Sequence, residues 1–342
     1  MQTIRWGIIG CGDVTEVKSG PAFAKARGSA LVAVMRRNAE LARDYARRHG
    51  VPRWYYDAEA LVRDPDVDAV YVATPPNAHK AYTLLAARAG KPVYVEKPMA
   101  LDGDECDAMI EACRAAGVPL FTAYYRRALP RFLRVKSIVD EGLLGDVRAV
   151  SLAIYRHYAP PPAAGPDATP AVPWRVDPTI AGGGLFVDLA SHTLDLLDYV
   201  LGPIARATGG AANQAHLYDA EDIVHATLEF ASGIRGVGIW CFSGFGEVDR
   251  VEIIGSRGRL TFETFGNAPM VLETDAGAHP ISIPHPEHVQ QPLIQAIVDE
   301  LHGTGTSPST GETGARTTRV MDQLLRTYYA SRTPHTPGLS GR

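Results

Sequence analysis

The sequence predicts an α/β protein in two parts. An N-terminal domain carries a doubly wound parallel sheet, and an α+β C-terminal domain carries an open, mostly antiparallel sheet. Three observations predict this. Wholly apolar, strand-sized runs alternate with amphipathic helical stretches through the first third of the chain. A glycine-rich turn, Gly10-Cys11-Gly12, follows the first of those runs directly. From residue 147 onward, strand-like runs follow one another over short polar links, with one strong helix ahead of them.

In order, Ile4 to Ile9 is the first strand-like run and Leu31 to Met35 the second, followed by a helical stretch from Ala39 to His49 that closes at Gly50. Val67 to Ala73 is the third run, ended by Thr74-Pro75-Pro76, and Ala78 to Ala89 reads as a helix stopped by Gly90. Pro92 to Val95 is the fourth, ended by Glu96-Lys97-Pro98; Asp104 to Ala116 is a helix stopped by Gly117, and Val118 to Ala123 another strand. Right-handed crossovers between such strands give a doubly wound domain over residues 1–122. Residues 123–330 form the second domain. Val147 to Tyr155 is strand-like, and residues 158–173 hold six prolines, so they form neither helix nor central strand. That loop is either a cover that helps set substrate choice or a plain connector. Leu185 to Leu201 is the strong helix, ended by Gly202-Pro203. The runs 222–230, 235–242, 248–255 and 259–264 supply the open sheet, Gln291 to Leu301 and Ala315 to Ala330 close the domain, and residues 331–342 are expected to be a disordered tail.

With 342 residues, 46% of them hydrophobic and 21% charged, the chain has the composition of a globular protein. Its 34 basic and 38 acidic residues leave a net charge of −4, which gives no reason to expect nucleic acid or an anionic membrane as partner. No apolar run approaches a membrane span, and the N-terminus does not read as a signal peptide. The four cysteines, Cys11, Cys106, Cys113 and Cys241, form no C-x-x-C pair, and His285 and His288 lack a nearby third ligand. A cytoplasmic protein without a metal is expected.

Gly10 allows the tight turn after the first strand, and Gly12 lets the backbone approach a pyrophosphate at the start of a helix. This is the fingerprint of a Rossmann-type dinucleotide site. Thr15 stands where the third glycine or an alanine belongs, which leaves the packing of the first helix open. At the end of the second strand an acidic residue selects NAD. Here Arg36-Arg37-Asn38 stands instead, with no carboxylate before Glu40. Paired guanidinium groups suit a 2′-phosphate, so NADP(H) is the preferred cofactor, with NAD(H) as the alternative.

Reactive groups fall in two segments. Lys97 lies at the C-terminal edge of a parallel strand, where ligands of such sheets bind. Asp188, His192 and Asp195 follow Gly182-Gly183-Gly184 at spacings of four and three, which on one helix places all three on one face. An otherwise apolar helix carries such a face only against a polar cleft or a hydrogen-bonded core network. The run from GIIGCG through ATPPNAH and EKP to WRVDP and GGGLFVDLASHTLD resembles the glucose–fructose oxidoreductase and inositol dehydrogenase family over nearly the whole chain. The resemblance implies that Gly10, Gly12, Asp13 and Val14 line the pyrophosphate turn and that Arg36 and Arg37 hold the ribose end. It implies that Thr74, Pro75, Asn77, His79 and Glu96 border the cofactor, and that Trp174 and Arg175 lie near the nicotinamide or substrate. Lys97, Asp188 and His192 match the family's catalytic trio, and Tyr125, Arg127 and Asp195 are weaker candidates for substrate contact.

These residues imply hydride transfer between nicotinamide and a carbinol or carbonyl carbon of a sugar, polyol or related small hydroxy compound. His192 would move the hydroxyl proton from an ordinary pKa near ~6.5, Lys97 would steady the substrate oxygen, and Asp188 would orient the relay. The alternatives are a retained-NAD glycoside lyase or hydrolase and a non-catalytic NADP-binding sensor. A broad sheet face left over in the second domain predicts a homodimer or homotetramer.

Overall fold

The computed structural model describes residues 3–159 and 172–332. Most of the Pro-rich stretch and residues 333–342 of the expected tail lie outside them.

Six parallel strands form the first sheet: β1 (Ile4–Ile9), β2 (Ser29–Met35), β3 (Arg53–Tyr55), β4 (Ala69–Val72), β5 (Val93–Val95) and β6 (Leu120–Thr122). Their order is β3-β2-β1-β4-β5-β6, so the topological switch falls between β1 and β4. Six helices connect them: α1 (Asp13–Val17), α2 (Gly20–Lys25), α3 (Ala39–His49), α4 (Ala58–Arg63), α5 (His79–Arg88) and α6 (Gly103–Ala115). The apolar runs are continuous because both sheet faces are buried. Ile9, Val70, Val72, Val93 and Val95 enter one core, and Trp6, Ile8, Tyr71 and Tyr94 the other. The Arg53–Tyr55 strand and α1, α2 and α4 go beyond the pattern read from sequence, being too short to show a period.

Next come α7 (Pro130–Asp140), β7 (Val147–His157), α8 (Pro178–Ala181) and α9 (Ser191–Leu201). The strands β8 (Ile204–Ala212), β9 (Ile223–Phe230), β10 (Arg235–Cys241), β11 (Ser243–Gly255), β12 (Gly258–Phe262), β13 (Met270–Thr274) and β14 (Gly277–Ile281) complete the second sheet. Its eight strands run β14-β13-β12-β11-β7-β10-β9-β8, antiparallel except for the β7–β10 pair. Its inner face, with Val150, Leu152, Ile154 and Trp240, packs on Phe132, Leu194, Leu197 and Leu324 of the helices. β8 escapes sequence reading because IARATGGAA has no bulky apolar alternation.

Two closing helices return to the first sheet. α10 (Gln291–Leu301) buries Leu293, Ile294, Ile297 and Val298 beside Trp6, Phe23 and Tyr94. α11 (Gly311–Ala330) gives Ala315 to one parallel-sheet core, and Val320, Met321 and Leu324 to the antiparallel-sheet core. Its start is fixed by Thr310, whose side chain accepts from Thr313 N.

One expected helix differs. Residues 186–190 wind as a π-turn, Phe186–Ala190, and the α-helix begins only at Ser191. The three glycines ahead of it are crowded in: a Cβ on Gly184 would lie 2.7 Å from the Glu221 carbonyl oxygen, and Glu221 Oε1 accepts from Gly184 N at 2.8 Å. This anchoring sets the entry of the chain before a regular helix forms.

Candidate active site

The turn after β1 is the base of the site. Gly10 has φ of +92°, and a Cβ there would lie 2.7 Å from Thr74 Cγ2 and 3.0 Å from the Ala73 carbonyl oxygen. Only glycine allows this approach between the loops after β1 and β4. Thr15 is buried and tethers the turn, its Oγ1 accepting from Gly12 N at 3.0 Å and donating to Gly12 O at 2.7 Å. Its own carbonyl accepts from Tyr45 OH at 2.7 Å. Threonine at the third fingerprint position therefore tightens the turn from within.

A cleft of about 880 Å³ opens over this turn. Gly10, Gly12, Asp13, Val14, Arg36, Arg37, Thr74, Pro75, Glu96, Lys97, Tyr125, Trp174, Arg175, Asp188 and His192 all line it. Arg36 and Arg37 are exposed and form no ion pair among the described residues. Thr74 Oγ1 is buried without a partner among the described residues. An extended ligand with phosphate at the arginine end and polar groups near Thr74 fits this donor set, as a dinucleotide requires.

Two expected border residues are not in the lining. Asn77 is exposed on the short turn Pro76–Ala78. His79, buried at the start of α5, has Nε2 2.7 Å from Thr74 O and Nδ1 3.0 Å from Pro98 O. It ties the loops after β4 and β5 together, because three carbonyl oxygens surround its ring and hold it inside.

Glu96 is saturated within the protein. Its carboxylate accepts from Tyr71 OH, Gln290 Nε2 and Lys97 N, and Gln290 accepts in turn from Tyr94 OH. That network fixes the loop presenting Lys97, whose peptide bond to Pro98 is cis. Lys97 Nζ donates to Asp188 Oδ1 at 2.6 Å and to Asp188 O at 2.8 Å. Of three ammonium donors, one is left for a ligand. Arg175 Nε lies 3.6 Å from Asp188 Oδ2. Burial alone would raise the Asp188 carboxyl, but Lys97 and then Arg175 outweigh it, and its pKa falls below the usual carboxylate range.

His192 sits among aromatic edges, with ring centroids 5.4 Å from Tyr125 and 5.9 Å from Phe265. Its Nδ1 has no hydrogen-bond partner among the described residues. Burial first, and then the charges of Arg126, Lys97 and Lys18, push its pKa well below 6.5. The imidazole is thus neutral at pH 7, which corrects the ordinary pKa expected from residue type and equips the ring to accept a proton.

Arg127 and Asp195 are corrected more strongly. Neither lines the cleft. Arg127 Nε lies 2.9 and 3.0 Å from the two Asp195 oxygens, and its Nη2 also reaches Asp198 at 2.9 Å. All three are buried. Asp188 lies within the π-turn, and His192 and Asp195 lie on α9; Asp188 and His192 face the cleft, whereas Asp195 faces the core ion pair.

Sequence reasoning missed Lys18, Tyr82, Arg126, Phe265 and Gln290, which also line the cleft. Gln290 and Phe265 arrive from distant segments with no local pattern. Arg126 has a signal, the Tyr124-Tyr125-Arg126-Arg127 run, but local sequence does not tell which of the two arginines faces the cleft.

The fold and this cleft define a Rossmann-type dinucleotide-binding enzyme. A family model described as "Oxidoreductase family, NAD-binding Rossmann fold" matches residues 4–124, and one described as "GFO/IDH/MocA C-terminal domain" matches residues 132–261. The chain belongs to the GFO/IDH/MocA oxidoreductase family. "Oxidoreductase P35" of Formosa agariphila is 37% identical over 324 residues, covering 95% of this chain and 99% of that protein. The 1,5-anhydro-D-fructose reductase of Ensifer adhaerens is 30% identical, covering 91% and 92%. The aldose-aldose oxidoreductase of Caulobacter crescentus, solved with glycerol, superposes with a TM-score of 0.83 at 26% identity, covering 97% and 99%. Among the described residues, no helix is long and apolar enough to cross a membrane.

Proposed function

We propose that the chain interconverts a carbinol and a carbonyl of a sugar, polyol or related small hydroxy compound, with NADP(H) preferred over NAD(H). The observation that carries this reading is the meeting of Lys97, Asp188 and His192 in the cleft that also holds the glycine turn. The reductase name of the Ensifer relative supports a sugar-like substrate. A bound nicotinamide supplies the hydride acceptor or donor. His192 takes the hydroxyl proton during oxidation and returns it during reduction. Lys97 places its remaining N–H on the substrate oxygen, and Asp188 holds the ammonium in position. Arg36 and Arg37 grip the 2′-phosphate.

Titration with NADPH and NADH, read by nicotinamide fluorescence, tests the cofactor. Tighter NADPH binding that collapses in an Arg36→Ala/Arg37→Ala variant supports the reading, and equal affinities refute the preference. His192→Asn should cut turnover by roughly 10²–10⁴-fold with NADPH binding unchanged. Wild-type turnover in that variant removes His192 from the chemistry.

The outer face of the eight-stranded sheet carries Val237 and Ile254, 54% and 37% exposed, and would be the seam of a homodimer or homotetramer. A monomer in analytical ultracentrifugation at micromolar concentration rejects this assembly. The four free cysteines support a cytoplasmic location.

A further inference from the structure

We propose that Arg126 anchors a substrate carboxylate, so that the cleft takes a sugar acid or a comparable polyhydroxy carboxylate in preference to a neutral sugar. The inference rests on the proposed function only for the position of the reacting carbon, near Lys97 and His192.

Arg126 lies on the short turn Tyr125–Ala128 after β6 and lines the cleft together with His192 and Lys97. It is 6% exposed. Its Nε donates to Thr264 O at 2.9 Å, but its Nη1 is buried with no partner among the described residues. No carboxylate pairs with it among the described residues. The guanidinium carbon stands 5.0 Å from the Tyr125 ring centroid and 4.7 Å from that of Phe265. These rings hold the guanidinium group in place but supply no counter-charge.

The acids nearby are committed elsewhere. Asp249 accepts from the backbone N–H groups of Thr264, Phe265 and Gly266. Asp188 is held by Lys97, with Arg175 beside it, and Glu96 by Tyr71, Gln290 and the Lys97 amide. The lining near the reacting groups thus carries Lys18, Lys97, Arg126 and Arg175 against Asp188 and Glu96. The charge of Arg126 also reaches His192, where it helps keep the ring neutral.

A buried guanidinium with an unmade hydrogen bond is costly. A carboxylate is the group that satisfies it best, because two oxygens match the planar fork of donors and the charge is opposite. A neutral hydroxyl would satisfy the hydrogen bond and leave the charge. Arg36 and Arg37 stand at the other end of the cleft, so a phosphate held there does not neutralise Arg126.

The test uses matched pairs that differ only in the terminal group: D-gluconate with D-glucitol, D-galactonate with D-galactitol, and D-glycerate with glycerol. Each is titrated into the protein loaded with NADPH, and quenching of nicotinamide fluorescence is read. For at least one pair the acid should bind tenfold to a hundredfold more tightly than the alcohol. Arg126→Gln should abolish that ratio and leave NADPH affinity unchanged, and Arg126→Lys should keep part of it. Retained NADPH binding reports that each variant is folded. Equal binding within every pair, a ratio that survives in Arg126→Gln, or no binding by any member overturns the anchor. Turnover is measured separately with NADP⁺. An acid that binds through Arg126 but is never oxidised, and whose keto form is never reduced, sinks the redox reading and leaves the anchor standing.

Discussion

Arg127→Met tests whether the Arg127–Asp195 pair is structural. Arg127 is 2% exposed and Asp195 0%, and three hydrogen bonds join the guanidinium edge to the two carboxylate oxygens. Asp198, the second partner, keeps Arg316 at 2.6 Å when Arg127 is removed. Among the described residues the Asp195 carboxylate keeps only Thr317 Oγ1, at 3.3 Å. The variant therefore leaves one orphaned buried carboxylate, at a cost of about 3–5 kcal/mol. At ~2–4 °C per kcal/mol for a domain of this size, Tm should fall by about 6–20 °C in scanning calorimetry. Burial already pushes the Asp195 carboxyl up to about 6, and loss of Arg127 would push it further above its unfolded value of ~3.9, so the folded state would hold the proton and lose stability as pH rises. The deficit should then be smaller at pH 5 than at pH 8. Adding Asp195→Asn removes the orphaned charge and should recover part of the loss. NADPH affinity and substrate KM of the folded variant should match wild type. An unchanged Tm with a raised KM would refute the reasoning and return Arg127 to the substrate site.

Further predictions follow from the glycine turn and from His192. Gly10→Ala places a Cβ 2.7 Å from Thr74 Cγ2 at a φ of +92°. With ~1–2 kcal/mol of backbone strain alone, cofactor affinity should fall by roughly tenfold or more, as a fluorescence titration would show. Because His192 is held neutral, the acid limb of kcat/KM for oxidation should break well below pH 6.5. A break at or above 6.5 would show that the ring is solvated. The same depression means the unfolded chain takes up this proton first. Stability tied to His192 is present above pH ~6.5 and is lost as pH falls towards the folded pKa. A His192→Gln variant should show a flatter Tm between pH 6.5 and 5.

Much of the architecture was legible because its signals are local. The wholly apolar runs at Ile4–Ile9 and Ala69–Val72 mark strands covered on both faces, and Asn38 and Gly50 bracket α3. Lys97 was placed by the rule that ligands meet the C-terminal edge of a parallel sheet, and Asp188 and His192 by their spacing after three glycines. The short elements β3, α4 and β14 were not legible, since three to six residues carry no period.

By itself the sequence determined the two-part fold class, the glycine turn, the paired arginines and the Lys97, Asp188 and His192 set. Hydrophobic period and local backbone demands are properties of neighbouring residues. The tertiary structure alone decided which way each polar side chain faces. It turned Asp188, within the π-turn, into the cleft and Asp195, on α9, into the core, and put Arg127 in an ion pair while leaving Arg126 without one among the described residues. It also carried Gln290 from the far end of the chain to Glu96. Burial, charge pairing and pKa depend on what distant segments place around a group.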